Sequence, residues 1–376
     1  MRRDNGASVR IYNLAKGLSS LRNEVEIVLP TKDSYLRQVD GLTIHGIRGF
    51  LPNAVLNVLR KLIGVTRSTS LYFYDFFFIV KCSHFLKQAD VVQIEQQTAG
   101  ALFIPFIKVV LKKPVLIDCH DIFQALRVKH TGFLRKCLET FLEKFAYKTA
   151  NFVLTVSEKE KNFLISYGVN KNKIGVVQNG VDTNLFSNHR KTTDTRDKFS
   201  FGNSKLVIFV GNMEYLPNRE AVELLSSTIV PQVISEVQNV KFVVVGKTTG
   251  MVRPNNLIFT GKVDSVPEIL GIADVAVAPL CYGSGTRLKI IEYLSSGLPV
   301  VSTSIGAEGL DVTNGINILI ENDLNRFSLA IIRLLTDKDL SARIGQAARD
   351  VAINVYDWQI SSEKLTNILG LVLQKS

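Results

Sequence analysis

The densest run of chemistry-bearing residues lies between Ala278 and Val301. It holds a loop, Gly283-Ser284-Gly285-Thr286, then Arg287, Lys289 and Glu292 at helical spacing, then Gly297-Leu298-Pro299. The apolar run Val275–Ala278 before it reads as a buried strand. The spacing predicts a helix over 285–296, with a left-handed cap at Gly297 and a stop enforced by Pro299. At roughly 100° per residue, Gly285, Lys289, Glu292 and Ser296 share one face, while Leu288, Ile291 and Leu294 point elsewhere. Arg287 lies off that face and reaches it only by bending its side chain. Open α/β sheets bind ligands at the carboxyl ends of their strands, and unpaired N–H groups at a helix start favour anions. A phosphate-seeking cation and a hydroxyl-seeking carboxylate one turn apart suit a ribose diphosphate. The plainer alternative is an i,i+3 surface salt bridge between Lys289 and Glu292.

The elements that must position this run alternate along the whole chain. Short apolar runs recur at 25–29, 42–47, 90–94, 114–117, 152–156 and 174–177, and helical patterns at 8–21, 99–111, 133–148 and 158–167 fill most intervals. After residue 200 the series restarts with runs at 206–210, 241–245, 257–259, 275–278, 299–303 and 316–320. Strands alternating with helices mean parallel β-α-β units, and two such series predict two facing, doubly wound Rossmann-like domains. The turn signal Asn179-Gly180-Val181-Asp182 and the polar stretch 187–203 divide them, giving domains at 1–186 and 203–355. The helical tail 356–376 has no strand to pair with and is expected to cross back onto the first domain. Asn5-Gly6-Ala7-Ser8 has the form of a glycine loop opening the 8–21 helix, yet no strand pattern precedes it. The expectation is that the first strand is missing and that the true start lies upstream, where an in-frame apolar strand would confirm it.

Composition excludes several classes. The chain has 376 residues, of which 46% are hydrophobic and 21% charged, which fits a globular protein of enzyme size rather than a disordered or low-complexity one. Its four cysteines lie far apart with no C-x-x-C pair, which argues against a disulfide framework or a cysteine zinc site and suits a reducing compartment. The net charge of +11 is uneven: residues 1–200 carry 30 Lys+Arg against 17 Asp+Glu, and the remainder 15 against 17. A nucleic-acid-coating protein would seldom concentrate its basicity in one half, so no nucleic-acid partner is expected. No apolar signal region follows Met1, and the aromatic run 71–80 is too short and too charged to span a bilayer. The amphipathic stretch 51–64, with Arg60 and Lys61 opposite its leucines, could lie on an anionic membrane surface or cover a sheet. The expected location is cytoplasmic, with peripheral contact at the inner membrane face.

Gly-Ser-Gly-Thr-Arg-Leu-Lys-Ile-Ile-Glu…Ser-Gly-Leu-Pro-Val-Val (283–301) resembles the nucleotide-sugar site of family 4 glycosyltransferases, which have the GT-B fold. The likeness extends over nearly the whole chain. Asn5-Gly6 resembles the family's front glycine loop, Ser157-Glu158-Lys159-Glu160 its "SE" segment, and Asn179-Gly180-Val181-Asp182 with Phe186 its interdomain signature. The resemblance implies sugar transfer from a nucleoside diphosphate sugar with retention of configuration and without a metal or other cofactor. The acceptor it implies is a glycan or a lipid-linked intermediate. Glu292 matches the second glutamate of the family's E-x7-E pattern, implied to hold the donor ribose, while the first glutamate falls on Ser284. Gly285 and Thr286 match backbone donors to the outer phosphate, and His120, after the 114–117 strand, resembles the histidine that contacts the transferred sugar. Family members commonly carry Arg and Lys after the first strand of the second domain; here Gly211 is followed by Asn212, and the lysine position is Asn218. The diphosphate's counter-charge is therefore expected on Arg287 and Lys289. With Gly283, these complete the candidate donor and catalytic set.

Other motifs are weaker. Gly246-Lys247-Thr248-Thr249 mimics the end of a Walker A loop, but Lys241 stands where its glycine is required. Asp337-Lys338-Asp339 spells D-x-D yet opens a helix, where acidic residues are favoured anyway. Gly283-Ser284-Gly285 has Leu288 in place of the third dinucleotide-loop glycine, and the five histidines show no zinc spacing. Two rival readings stand beside sugar transfer: a nucleotide-sugar epimerase of the same fold, with Asp121 as its proton-transfer candidate, and a catalytically inactive partner subunit.

Overall fold

The computed structural model describes the chain except residues 1–5, 32, 49–75, 96, 120–132, 188–192, 251, 284–285 and 375–376. The chain forms two compact units, residues 1–178 with 361–376, and residues 179–360.

In chain order the first unit holds α1 (Gly6–Ser20), β1 (Glu26–Thr31), β2 (Tyr35–Val39), β3 (Leu42–Arg48), α2 (Phe76–Gln88), β4 (Val92–Ile94) and α3 (Gln97–Pro105). It continues with β5 (Val115–Cys119), α4 (Phe133–Thr149), β6 (Phe152–Thr155), α5 (Glu158–Ser166) and β7 (Ile174–Val176). The 99–111 pattern expected as one helix is α3 followed by a π turn, Phe106–Val110. The break falls at Pro105, which has no N–H to continue the ladder. Strand β2 is absent from the sequence reading. It pairs antiparallel with β3 through Asp40-Gly41, whose φ angles of 50° and 78° make a two-residue hairpin turn. Its exposed residues lack a core face, so no apolar run announces it.

The front half does not form one continuous sheet among the described residues. β1, β3 and β2 make a three-stranded sheet, and β4 to β7 make a fully parallel four-stranded one. A core of Phe78, Ile104, Ile117, Ala146, Val153 and their neighbours lies beneath the second sheet, with Val28 of β1 and Ile47 of β3 packed against it. Arg10 of α1 ties the two sheets together. Its guanidinium donates to both carboxylate oxygens of Asp118 at the end of β5, Nε at 2.8 Å and Nη2 at 3.0 Å, and both side chains are fully buried. Ser157 caps α5 by accepting from the Glu160 amide, while the Glu160 carboxylate accepts from the Val156 N–H.

The second unit begins with α6 (Thr183–Ser187) and α7 (Thr193–Lys198), then β8 (Lys205–Val210), α8 (Leu216–Leu224), a π turn Leu225–Ile229, α9 (Val230–Glu236), β9 (Val240–Val245) and β10 (Ile258–Gly261). There follow α10 (Val266–Gly271), β11 (Val275–Ala278), α11 (Leu288–Ser295), β12 (Val300–Ser302), β13 (Leu319–Ile320), α12 (Leu324–Thr336) and α13 (Lys338–Val355). The last helix, α14 (Trp358–Gln374), starts at the end of this unit, and its residues from 361 on belong to the first. The six strands lie in the order β10-β9-β8-β11-β12-β13, all parallel. Counted within this unit that is 3-2-1-4-5-6, the doubly wound nucleotide-binding order. Alternation along β8 explains the two layers of helices: Val207 and Phe209 join the core on one face, Leu206 and Ile208 that on the other. Asp337 is the cap of α13, accepting from the Leu340 amide at 2.9 Å, so the D-x-D spelling has a local structural use.

Replacing one partner of the Arg10–Asp118 pair strands the other charge in the core. Arg10→Leu is expected to lower unfolding free energy in urea by about 3–5 kcal/mol, and the double change Arg10→Met/Asp118→Leu by much less. Equal losses in the single and double variants would show that the pair's charge is not what matters.

Candidate nucleotide-sugar site

In a sheet of this order, the chain leaves β8 and β11 in opposite directions, opening a crevice beyond their carboxyl ends. The described candidate residues of the second unit come from the segments that follow those two strands. Helix α11 begins at Leu288, three residues later than its sequence pattern predicts. The Leu288 amide is already bonded to the Thr286 carbonyl at 3.0 Å, and Arg287, with φ −80° and ψ 81°, is the cap residue. The helical ladder therefore opens at the Arg287 carbonyl, which accepts from Ile290 at 2.9 Å. This corrects the expected start at Gly285.

Tyr293 anchors α11 to β8. Its ring is fully buried, and its hydroxyl accepts from the Val210 N–H at 2.7 Å. One turn earlier on the same side, Lys289 is carried to the end of β8. Its Nζ donates to Asn218 Oδ1 at 2.7 Å and lies 4.1 Å from the centroid of the Phe209 ring. It does not bond to Glu292, so the surface salt bridge is not what forms. Burial, reinforced by the Arg287 charge, pulls the Lys289 ammonium down to about 7. Burial pushes the Glu292 carboxyl up to about 7, opposed by Lys289. The site thus holds two groups that change charge near neutrality, beside a buried guanidinium, Arg287.

Backbone closeness makes room for them. A Cβ on Gly211 would stand 2.8 Å from Asn218 Nδ2 and 3.1 Å from Lys289 Nζ. A Cβ on Gly246, at φ +130°, would stand 2.0 Å from the Gly211 carbonyl oxygen. Gly283, also at φ +130°, is flanked by the Tyr215 hydroxyl and Arg287 Nη2, 2.9 and 3.0 Å from where a Cβ would be. The glycine that mimics a Walker loop is thus needed because β9's end touches β8's. Thr286 is half-buried in the turn before α11.

Two family models match: "Glycosyltransferase Family 4" over residues 4–185 and "Glycosyl transferases group 1" over 204–337. The chain belongs to the family 4 glycosyltransferases. An uncharacterized glycosyltransferase of Methanocaldococcus jannaschii is 24% identical over 271 residues, 68% of each chain. A GDP-mannose-dependent monoacylated phosphatidylinositol monomannoside mannosyltransferase of Corynebacterium glutamicum is 27% identical over 209 residues, 50% of this chain and 54% of that one. The fold is GT-B, as in Anabaena HepE solved with UDP and glucose, with a TM-score of 0.71 and 16% identity over 98% of this chain and 96% of that one. Sucrose-phosphate synthase of Thermosynechococcus elongatus gives a TM-score of 0.73 at 17% identity, over 99% and 94% of the two chains.

For this family 4 glycosyltransferase, the candidate residues divide. Gly283, Thr286, Arg287, Lys289 and Glu292 gather in one unit. Gly6 opens α1 in the other. Asn5, His120, Asp121, Ser284, Gly285 and the amphipathic stretch 51–64 lie outside the described residues. What sequence reasoning missed is the bond between Asn218 and Lys289, and the Gly211–Gly246 contact that frames it. The one available signal was a glycine closing both strands.

Gly246→Ala sets a new methyl against backbone at positive φ, whereas Gly211→Ala sets it against side-chain ends. The first is expected to cost more stability than the second, whose typical overpacking cost is about 1–3 kcal/mol. Urea melts of the two variants check the order, and an unaffected Gly246→Ala would refute the contact.

Proposed function

We propose that this glycosyltransferase moves a sugar from a nucleoside diphosphate sugar to a glycan or lipid-linked acceptor with retention of anomeric configuration. The observation that carries the reading is Lys289, Arg287 and Glu292 assembled beyond β8 and β11, at the switch point of a nucleotide-binding sheet. Lys289 and Arg287 neutralise the pyrophosphate, Glu292 takes the ribose hydroxyls, and Gly283 and Thr286 leave the backbone open to a phosphate. Ser284 replaces a family glutamate at the sugar-ring position. By the family resemblance, Asn5, Gly6 and His120 are the candidates of the first half for the donor and the transferred sugar.

The mechanism follows charge. Breaking the anomeric bond builds negative charge on the departing diphosphate and positive character on the sugar. Cations preset beside the diphosphate stabilise the first, and the leaving phosphate takes the acceptor's proton as the acceptor attacks from the same face. A peripheral site on the cytoplasmic face of an anionic membrane accords with the basic first half and with exposed Phe141 and Phe145 on α4. No helix among the described residues is long and apolar enough to cross a membrane. The lipid acceptor named for the Corynebacterium relative supports the same reading.

The test is a panel of UDP-, GDP-, ADP- and dTDP-sugars scored by thermal shift and slow donor hydrolysis. One donor is expected to stabilise the protein, and Lys289→Ala or Arg287→Ala to cut its turnover by about two orders of magnitude. Conversion of a nucleotide sugar without acceptor would favour an epimerase, and no response to any donor would leave an inactive subunit.

Proton linkage gives a second check. A diphosphate beside Lys289 and Glu292 raises both affinities for protons, so binding at pH 7.5 is expected to take up protons. Calorimetry in two buffers of different ionisation enthalpy measures this. Lys289→Met should remove most of the uptake, and proton release on binding would contradict the assignment.

A further inference from the structure

Lysine is a flexible point charge whose ammonium can only donate hydrogen bonds. Lys289 Nζ donates to Asn218 Oδ1 at 2.7 Å. The other end of that amide, Nδ2, donates to the Asn212 carbonyl at 2.9 Å. Donor chemistry at one end and acceptor chemistry at the other fix which way the amide points. Asn218 is itself 7% exposed and stands in the first turn of α8, the helix that follows β8. Gly211, the first residue beyond β8, leaves the space into which both the amide and the ammonium project. The amide is neutral. It holds the ammonium in place without cancelling its charge, as a carboxylate would.

We propose that Asn218 is the positioning residue of this site: its amide, oriented by the Asn212 carbonyl, fixes the Lys289 ammonium beyond β8 with its charge left for an incoming diphosphate. This rests on the donor-site reading above and adds a residue on a different helix that never touches the reacting atoms. It also explains why position 218 carries a neutral amide. A second cation there would repel Lys289 at hydrogen-bond distance, and an acid would neutralise it.

Three variants separate the roles. Asn218→Ala frees the ammonium and should weaken UDP or GDP binding roughly tenfold, the scale of a lost hydrogen bond to a charged group. Asn218→Asp keeps the volume and the contact with Lys289 but cancels the charge, and should weaken binding more than Asn218→Ala does. Asn218→Lys/Lys289→Asn transposes the cation between the two helices and should recover most of the affinity that Lys289→Asn alone loses. Thermal melts accompany each variant, and Asn218→Ser stands in if the alanine variant fails to fold. Affinity equal to wild type in folded Asn218→Asp, with Lys289→Asn impaired, would overturn the proposal.

A ligand-free arm keeps this apart from the function itself. Trace acetylation of Lys289 at pH 8, read by mass spectrometry, reports its unprotonated fraction. The charged groups beside it are Arg287, the cap before its helix, and Glu292 on that helix, while α8 and β8 present the uncharged Asn218 and Phe209. A carboxylate at 218 should therefore suppress labelling several-fold. Suppressed labelling in a protein that binds no nucleoside diphosphate would leave the contact standing and remove the donor site. Unchanged labelling would remove the contact.

Discussion

An ammonium held against the end of a strand by a neutral amide and an aromatic ring is the constraint around which the second unit is built. Desolvation beside a second cation disfavours the charged form of Lys289, and its bond to Asn218 and its approach to the Phe209 ring hold it there. Tyr293 pins the helix, Asn218 pins the side chain, and the glycines at 211 and 246 let two strand ends and two helices meet there. Such a site is poised for an anion, which restores the lost solvation of the cation.

The sheet order supplies the remainder. Leaving β8 and β11 in opposite directions is a topological fact, and it opens a crevice whatever the side chains are. The chemistry comes from what each departing segment carries: the neutral amide of Asn218 after β8, and the charged Arg287, Lys289 and Glu292 after β11. Division of labour of this kind makes Asn218 easy to overlook, since it carries no charge of its own.

The first unit solves a different problem. Its described strands form two sheets, and the buried Arg10–Asp118 pair joins α1 of the first to β5 of the second. A bidentate pair sealed from water is a costly way to hold two elements unless both hydrogen bonds are made, and here they are.

Periodicity along the chain determined the alternation of strands and helices and the cluster from Gly283 to Glu292. Each is a local pattern, dictated by which faces must be apolar and where glycine and proline interrupt them. The hairpin strand β2 escaped because its residues are exposed, although Asp40-Gly41 announced the turn. The later start of α11 and the partner of Lys289 were decided only by tertiary structure. The helix start depends on where the Leu288 amide finds an acceptor, and the Lys289 bond joins residues 71 positions apart. Spacing along one helix can say which side chains share a face, but what lies opposite that face is set by how the sheet brings another segment to it.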